Sequence, residues 1–329
     1  MLIKNSIFFY PYGYTVANGA SCLDLPIAIA TGAIFREDYY KYLFTLSFNA
    51  NWEKVNNTWF ENRAEILSNM NYTFLKYNFT SWKETLAFIY QTINEKGFVL
   101  MPVTYNALFY YLGPKSPMTH MILINGYDQD DDILLVNDCN FVNHGLEIIN
   151  KEYTFYQVAL HTHSIERIWN DSITTLKFSL GEYCLYSLQE AKTEHLEATS
   201  YMQMFFSAKF APNNLSNITN QYRAAILDAY TIPNDAVNDF IFDIRRKYLG
   251  WLHPFFDYFN YIERDDIKVN IKKLADNLYK IRHAQITKIH MRLLRKNGIT
   301  QEYIMELMKE SESIENDINQ YLKSIYIFK

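Results

Sequence analysis

The sequence predicts an α+β protein: an antiparallel sheet with helices in its first part and an all-helical remainder. Three observations lead there. The hydrophobic period changes repeatedly over the first 180 residues. The clearest β signal is antiparallel, because MTHMILINGYD and DDILLVND are apolar runs joined by a Gly-Tyr-Asp-Gln-Asp-Asp turn. From about Gly181 onward, apolar residues recur at helical spacing through successive long segments. The expected division is therefore 1–180, carrying the sheet, and 181–329, built from helices.

Taken in order, NGASCLDLPIAIATG reads as a buried helix opened by Cys22. An aromatic helix follows over Tyr39 to Phe48, then another over Trp59 to Met70, and YTFLKYNF (Tyr72 to Phe79) reads as a strand. SWKE is a capping box in which Ser81 accepts from the amide of Glu84 and the Glu84 carboxylate reaches back. The helix it opens ends before Gly97, suited to a left-handed C-cap. GFVLMPVTYNALFYYLG reads as a strand ending near Pro102 with an exposed continuation, the hairpin comes next, and ITTLKFSL (Ile173 to Leu180) is a further expected strand. The later segments starting at Gln189, Asn234, Asp265 and Thr300 all read as helices, with Pro212 and Pro233 at helix ends and Asn297-Gly298 as the last break.

Of the 329 residues, 49% are hydrophobic, enough for one large domain or two ordinary ones. A net charge of −5 argues against a nucleic-acid binder. The three cysteines, Cys22, Cys139 and Cys184, do not make a disulfide framework. MLIKNSIFFYPYGY, with a short apolar run and an early proline, does not read as a signal peptide. No stretch approaches the ~18 uncharged apolar residues of a membrane span. The expectation is a cytoplasmic protein with reduced thiols.

One constellation points to chemistry. Cys22 opens a helix, His120 opens the first hairpin strand, and Asp138 closes the second. Antiparallel strands place those two ends side by side. Thiol, imidazole and carboxylate form the generalised triad: the thiolate attacks a carbonyl carbon, the imidazolium protonates the leaving group, and the carboxylate orients the ring. A helix N-terminus and an adjacent imidazolium lower a thiol from about 8.5 toward ~3.5–7.5. Free amides there hold an oxyanion, at roughly 3–4 kcal/mol per donor. Each residue also has a plainer explanation: Cys22 as core, His120 as a satisfied edge group, Asp138 as a turn cap.

This order of motifs resembles the papain-like cysteine peptidases of the bacteriocin-processing (C39) type, and more closely the butirosin-biosynthesis acyltransferases related to butirosin biosynthesis protein H. The resemblance covers most of the chain, in the proline-bearing strand, HMILINGYD, ILLVND and a helical second half. It implies a papain-like catalytic domain over 1–180 and a helical domain over 181–329 that receives the substrate and a carrier protein. It further implies Cys22 as nucleophile, His120 as base and Asp138 as orienter. Papain-like enzymes set a glutamine a short way before the cysteine; Val16 stands at that spacing, and Asn18 is the nearest amide to supply the oxyanion donor. The activity implied is amide-bond formation, with an acyl group taken from a carrier-protein thioester and passed to an amine, including a diamine, in nonribosomal antibiotic biosynthesis. No cofactor is implied beyond the phosphopantetheine that arrives on the acyl or peptidyl carrier protein. A peptidase or thioesterase using water as acceptor, and a non-catalytic binding protein, are the alternatives.

Two basic clusters in the helical half, Arg245-Arg246-Lys247 and Arg292, Arg295 and Lys296, offer faces for an acidic carrier protein. His161, His163, Cys139 and His144 match no standard zinc spacing. The QDDD run, Gln129 to Asp132, reads as a solvated turn, so no metal is expected.

Overall fold

The computed structural model describes residues 2–4, 22–48, 59–110, 119–140, 154–176, 184–190, 201, 203, 214–249, 252, 258–259, 265–295 and 299–326. The chain divides into two compact units, one of Met1–Leu43 with Glu53–His195, the other of Phe44–Trp52 with Leu196–Lys329. The architecture is α+β, with an antiparallel sheet in the first unit and a helical C-terminal region.

The sheet of the first unit runs β2 (Tyr72–Asn78), β7 (Cys184–Glu190), β3 (Val99–Thr104), β4 (Thr119–Asp128), β5 (Ile133–Asn140) and β6 (Thr154–His161). A short β1 (Leu2–Lys4) pairs with Gly126 to Asp128 of β4, beyond Ile124, the last β4 residue paired with β3. Every described pairing is antiparallel. Helix α4 (Trp82–Lys96) packs against β3, β4 and β7, and α5 (Thr162–Leu176) packs against β3, β5 and β6. Val99, Met101, Val103, Ile122, Ile124, Leu134 and Val136 are buried with Ile89 and Ile93 of α4 and Ile165, Ile168 and Trp169 of α5. Helix α1 (Asp24–Ile34) reaches β4 and is buried nearly all round, as its continuous apolar composition requires.

The capping signals act as the sequence reads. Ser81 Oγ accepts from the amide of Glu84 at 3.3 Å, and Gly97 takes φ 88°, where a Cβ would clash. The return arm moves one residue: the Glu84 carboxylate accepts from the Thr80 amide at 3.3 Å and its hydroxyl at 2.9 Å.

Three expectations are corrected. First, β3 runs two residues past Pro102, to Thr104. The proline is tolerated because β7 pairs with β3 at Leu100 and the described ladder extends no further along that edge, so no bond there needs a Pro102 amide. Second, Ile173 to Leu176 are the end of α5, not a strand. Thr162, Ile165, Ile168, Trp169 and Ser172 are buried at helical spacing, and that period overrides the β-branched composition of the segment; residues 177–180 lie outside the described set. Third, the boundary at 180 falls before a strand of the sheet. Residues Cys184 to Ser187 of β7 are buried, and the strand sits between β2 and β3 in the unit that extends to His195. A strand covered on both faces lacks the alternation that would have marked it.

The second unit contains α6 (Asn214–Leu227), α7 (Val237–Tyr248), α8 (Asp265–Leu294) and α9 (Gln301–Tyr326). Here α8 packs against α7 and α9, and α6 against α7 and α9. Arg282 of α8 is fully buried. It pairs with Glu315 of α9, donates to the Tyr248 carbonyl at 3.1 Å, and lies 4.6 Å from the centroid of the Tyr222 ring. Gln285 joins three helices, accepting from Tyr222 Oη at 2.9 Å and donating to the Leu307 carbonyl at 2.7 Å. Of the helix expected from Gln189, the first two residues close β7, and Tyr201 and Gln203 are helical. The rest of it, with Pro212 and Asn297-Gly298, lies outside the described residues.

Candidate active site

The hairpin brings His120 and Asp138 together. His120 Nε2 lies 2.5 Å from Asp138 Oδ1, with the two residues 0% and 2% exposed. A slip in register makes this possible. Near the turn, Tyr127 faces Leu134 and Gly126 faces Leu135; beyond Asn125, Ile124 faces Val136 and Leu123 faces Asn137. Side chains alternate along a strand, so a one-residue slip exchanges its faces. Continued unbroken, the turn-side register would put His120 and Asp138 on opposite faces. The bulge at Asn125 gives them the same parity. Asn137 Nδ2 donates to Asn125 Oδ1 at 2.7 Å across the bulge, and both amides are buried.

Cys22 completes the set. It sits two residues before the first residue of α1, with Leu23 at the N-cap, rather than opening the helix itself. Its half-buried thiol donates to the Thr119 carbonyl at 3.6 Å, one residue before His120. Burial alone would drive the His120 imidazole toward its neutral form. The Asp138 carboxylate, through charge and hydrogen bond, opposes it, Cys22 adds a smaller contribution in the same direction, and the ring's pKa is pushed up to about 10. With Nε2 held by Asp138, Nδ1 is the nitrogen left for the thiol; it is buried and has no hydrogen-bond partner among the described residues. The arrangement can therefore hold a proton on the imidazole at neutral pH and deliver it beside a sulfur.

The start of α1 is anchored by a second buried group. Asp24 receives a two-point bond from Arg63, Nε to Oδ1 at 2.9 Å and Nη2 to Oδ2 at 3.0 Å, and a bond from Tyr42 Oη at 3.0 Å. Tyr42 is on α2 (Arg36–Phe48), and Arg63, on α3 (Trp59–Asn69), also lies 5.5 Å from the Trp59 ring centroid. This neutralises a carboxylate in the first turn of the helix, two residues from the candidate nucleophile.

Two tyrosines outside the expected site also line it. Tyr110 Oη donates to Asp138 Oδ2 at 2.9 Å, and the Tyr105 ring lies 4.4 Å from the His120 ring at 31°. Both follow β3, in the stretch expected as an exposed continuation; its aromatic density after a buried strand was the available signal. Phe109 beside them is 60% exposed.

Asn18, the expected oxyanion donor, lies outside the described residues, as do His144 and Lys296. Of the other histidines considered for a metal, His161 closes β6 and the exposed His163 faces Glu166 at 3.6 Å. The side chain of Cys139 is outside the described set. The QDDD turn is exposed throughout, from Gln129 to Asp132, and Asp132 Oδ1 accepts from Thr162 Oγ1 at 2.6 Å. Among the described residues, no group of three or more His, Cys, Asp or Glu could hold a metal ion. In the second unit, Arg245 to Lys247 lie on α7, Arg292 sits 3.7 Å from the Tyr303 ring centroid, and Arg295 is exposed. No described helix is long and apolar enough to cross a membrane.

No protein-family model matches this chain, and no curated protein matches it significantly in sequence.

Proposed function

We propose that this protein is a cysteine-dependent acyltransferase with a papain-like catalytic unit, forming amides from a carrier-bound thioester and an amine. The observation that carries the proposal is the convergence of three groups from separate elements: the Cys22 thiol before α1, the His120 ring on β4 and the Asp138 carboxylate on β5. An antiparallel sheet with the cysteine before a helix that reaches β4 supports the papain-like assignment.

In this mechanism Cys22 and His120 work as a thiolate–imidazolium pair. The sulfur attacks the thioester carbonyl, and the tetrahedral intermediate collapses as the donor's C–S bond breaks. The imidazolium gives its proton to the departing thiol and is left neutral. The acceptor amine then attacks the Cys22 thioester, the neutral imidazole takes the amine's proton, and the second C–S bond breaks to regenerate the pair. A thioester donor is already activated, so the site must mainly orient the amine and exclude water. The donor is proposed to be an acyl or peptidyl carrier protein bearing phosphopantetheine, met by the basic segments of α7 and the end of α8. A reducing compartment such as the cytoplasm suits this chemistry, and Cys22 and Cys184 are free thiols.

The test is intact-mass spectrometry after incubation with an acyl pantetheine thioester and no amine. The expected product is a single acyl adduct, absent from Cys22→Ala. Added diamine should then discharge it as an amide. Discharge only as free acid would make the protein a hydrolase, and product formation by Cys22→Ala would overturn every reading that uses this thiol.

A further inference from the structure

We propose that Tyr110 is a positioning residue of this site: its hydroxyl, by occupying Asp138 Oδ2, leaves Oδ1 as the oxygen that faces His120. The proposal rests on the acyl-transfer reading for its catalytic meaning, but not for its test. A carboxylate has two equivalent oxygens, and rotation about its Cβ–Cγ bond exchanges them. A ring bonded to a turning carboxylate tilts with it, and the free nitrogen sweeps away from the sulfur it must serve. In this site each oxygen has its own donor, His120 Nε2 at 2.5 Å and Tyr110 Oη at 2.9 Å, so the exchange would break both bonds together. The Tyr105 ring, 4.4 Å away at 31°, covers a face of the imidazole and restricts the remaining motion, tilt out of plane. Two tyrosines of one short segment after β3 thus act on the two partners of one bond. This is the support that a precise catalytic geometry needs from the groups behind it.

Tyr110→Phe isolates the idea because it keeps the ring and removes the hydroxyl. Tyr127→Phe is the matched control: it removes a 3.0 Å bond from the far end of β4 to Asn94 Oδ1 of α4. Two measurements are made on each variant, the titration of the His120 imidazole followed by NMR and the rate of Cys22 acylation by an acyl pantetheine thioester. In Tyr110→Phe the acylation rate should fall on the order of ten- to hundredfold, the contribution of a hydrogen bond to a charged group. The His120 titration should move down in pH, toward the value of an ordinary histidine, because the carboxylate no longer faces the ring continuously. Tyr127→Phe should move neither. An unchanged His120 titration in Tyr110→Phe would overturn the proposal, as would an equal displacement in Tyr127→Phe. If the wild-type protein forms no adduct at all, the acyl-transfer reading fails while the titration still decides the role of Tyr110.

Discussion

His120 and Asp138 share one face of the hairpin only because the register slips by one residue at Asn125. Their pairing decides the protonation state of the site, since it opposes the burial that would otherwise neutralise the ring. Asp138→Asn removes the charge and leaves burial opposed only by the smaller contribution of Cys22. The His120 pKa should then fall below its ordinary value near 6.5, and the imidazole should be neutral at pH 7. Cys22 acylation should drop by several powers of ten, up to the ~10⁴-fold seen when a triad carboxylate becomes an amide. NMR titration and intact-mass kinetics measure the two effects separately.

The same pair makes stability depend on pH. An unfolded histidine titrates near 6.5, whereas native His120 holds its proton to about 10. Between those values the native state binds a proton that the unfolded state has released, so raising the pH across the window destabilises the fold. The contribution is complete below about 6.5 and gone above about 10. Urea midpoints of the wild type should therefore decline from pH 6.5 to pH 10 more steeply than those of Asp138→Asn. Parallel curves would show that the pair does not hold this proton.

The adjacency of His120 and Asp138 was legible in the sequence because a hairpin with a short polar turn aligns its outer ends whatever its register. Their common face was not, since it depends on parity, and the one sign of a bulge, Gly126 inside the strand, reads equally well as the first residue of the turn. The long amphipathic helices α8 and α9 were legible from their period. Strand β7 was hidden by burial on both faces, and Ile173 to Leu176 were misread because β-branched composition outweighed a helical period that begins upstream at Ile165. Small residues before an apolar run mark a helix start near Cys22 without fixing its first residue, which is Asp24. Tyr105 and Tyr110 were signalled only by the aromatic density that follows a buried strand; that these two rings meet His120 and Asp138 is a tertiary outcome no local pattern specifies.

The bulge has its own support and can be tested alone. Asn125 and Asn137 are both buried, and the side-chain bond between them spans the slip. Asn137→Leu removes that donor from the Asn125 carbonyl oxygen, at a cost of about 0.5–1.5 kcal/mol, the net worth of one hydrogen bond. With the clamp gone, the unslipped register, which separates His120 and Asp138, competes with the native one. Acylation should fall further than the lost stability explains, measured at a temperature where urea titration shows the variant to be folded. Full activity in a folded Asn137→Leu would show that backbone pairing alone holds the slip.

A buried charge stands two residues from Cys22 in the chain. Asp24 is fully buried in the first turn of α1, and Arg63 is its counter-ion. Breaking such a pair from one side leaves an uncompensated buried charge, so Arg63→Met should cost about 3–5 kcal/mol in urea unfolding. It should also slow alkylation of Cys22 by iodoacetamide, because an uncompensated negative field beside the sulfur opposes thiolate formation and the helix start is no longer tied to α3. The loss belongs to the unpaired charge more than to the missing contact. Asp24→Asn introduced with Arg63→Met removes that charge while keeping an oxygen to accept from Tyr42, whose pKa burial and the Asp24 carboxylate push well up, so it remains a donor. The double variant should regain most of the stability and of the alkylation rate. If it is no better than Arg63→Met alone, the guanidinium matters through its packing on Trp59, and the pair has no electrostatic part in preparing Cys22.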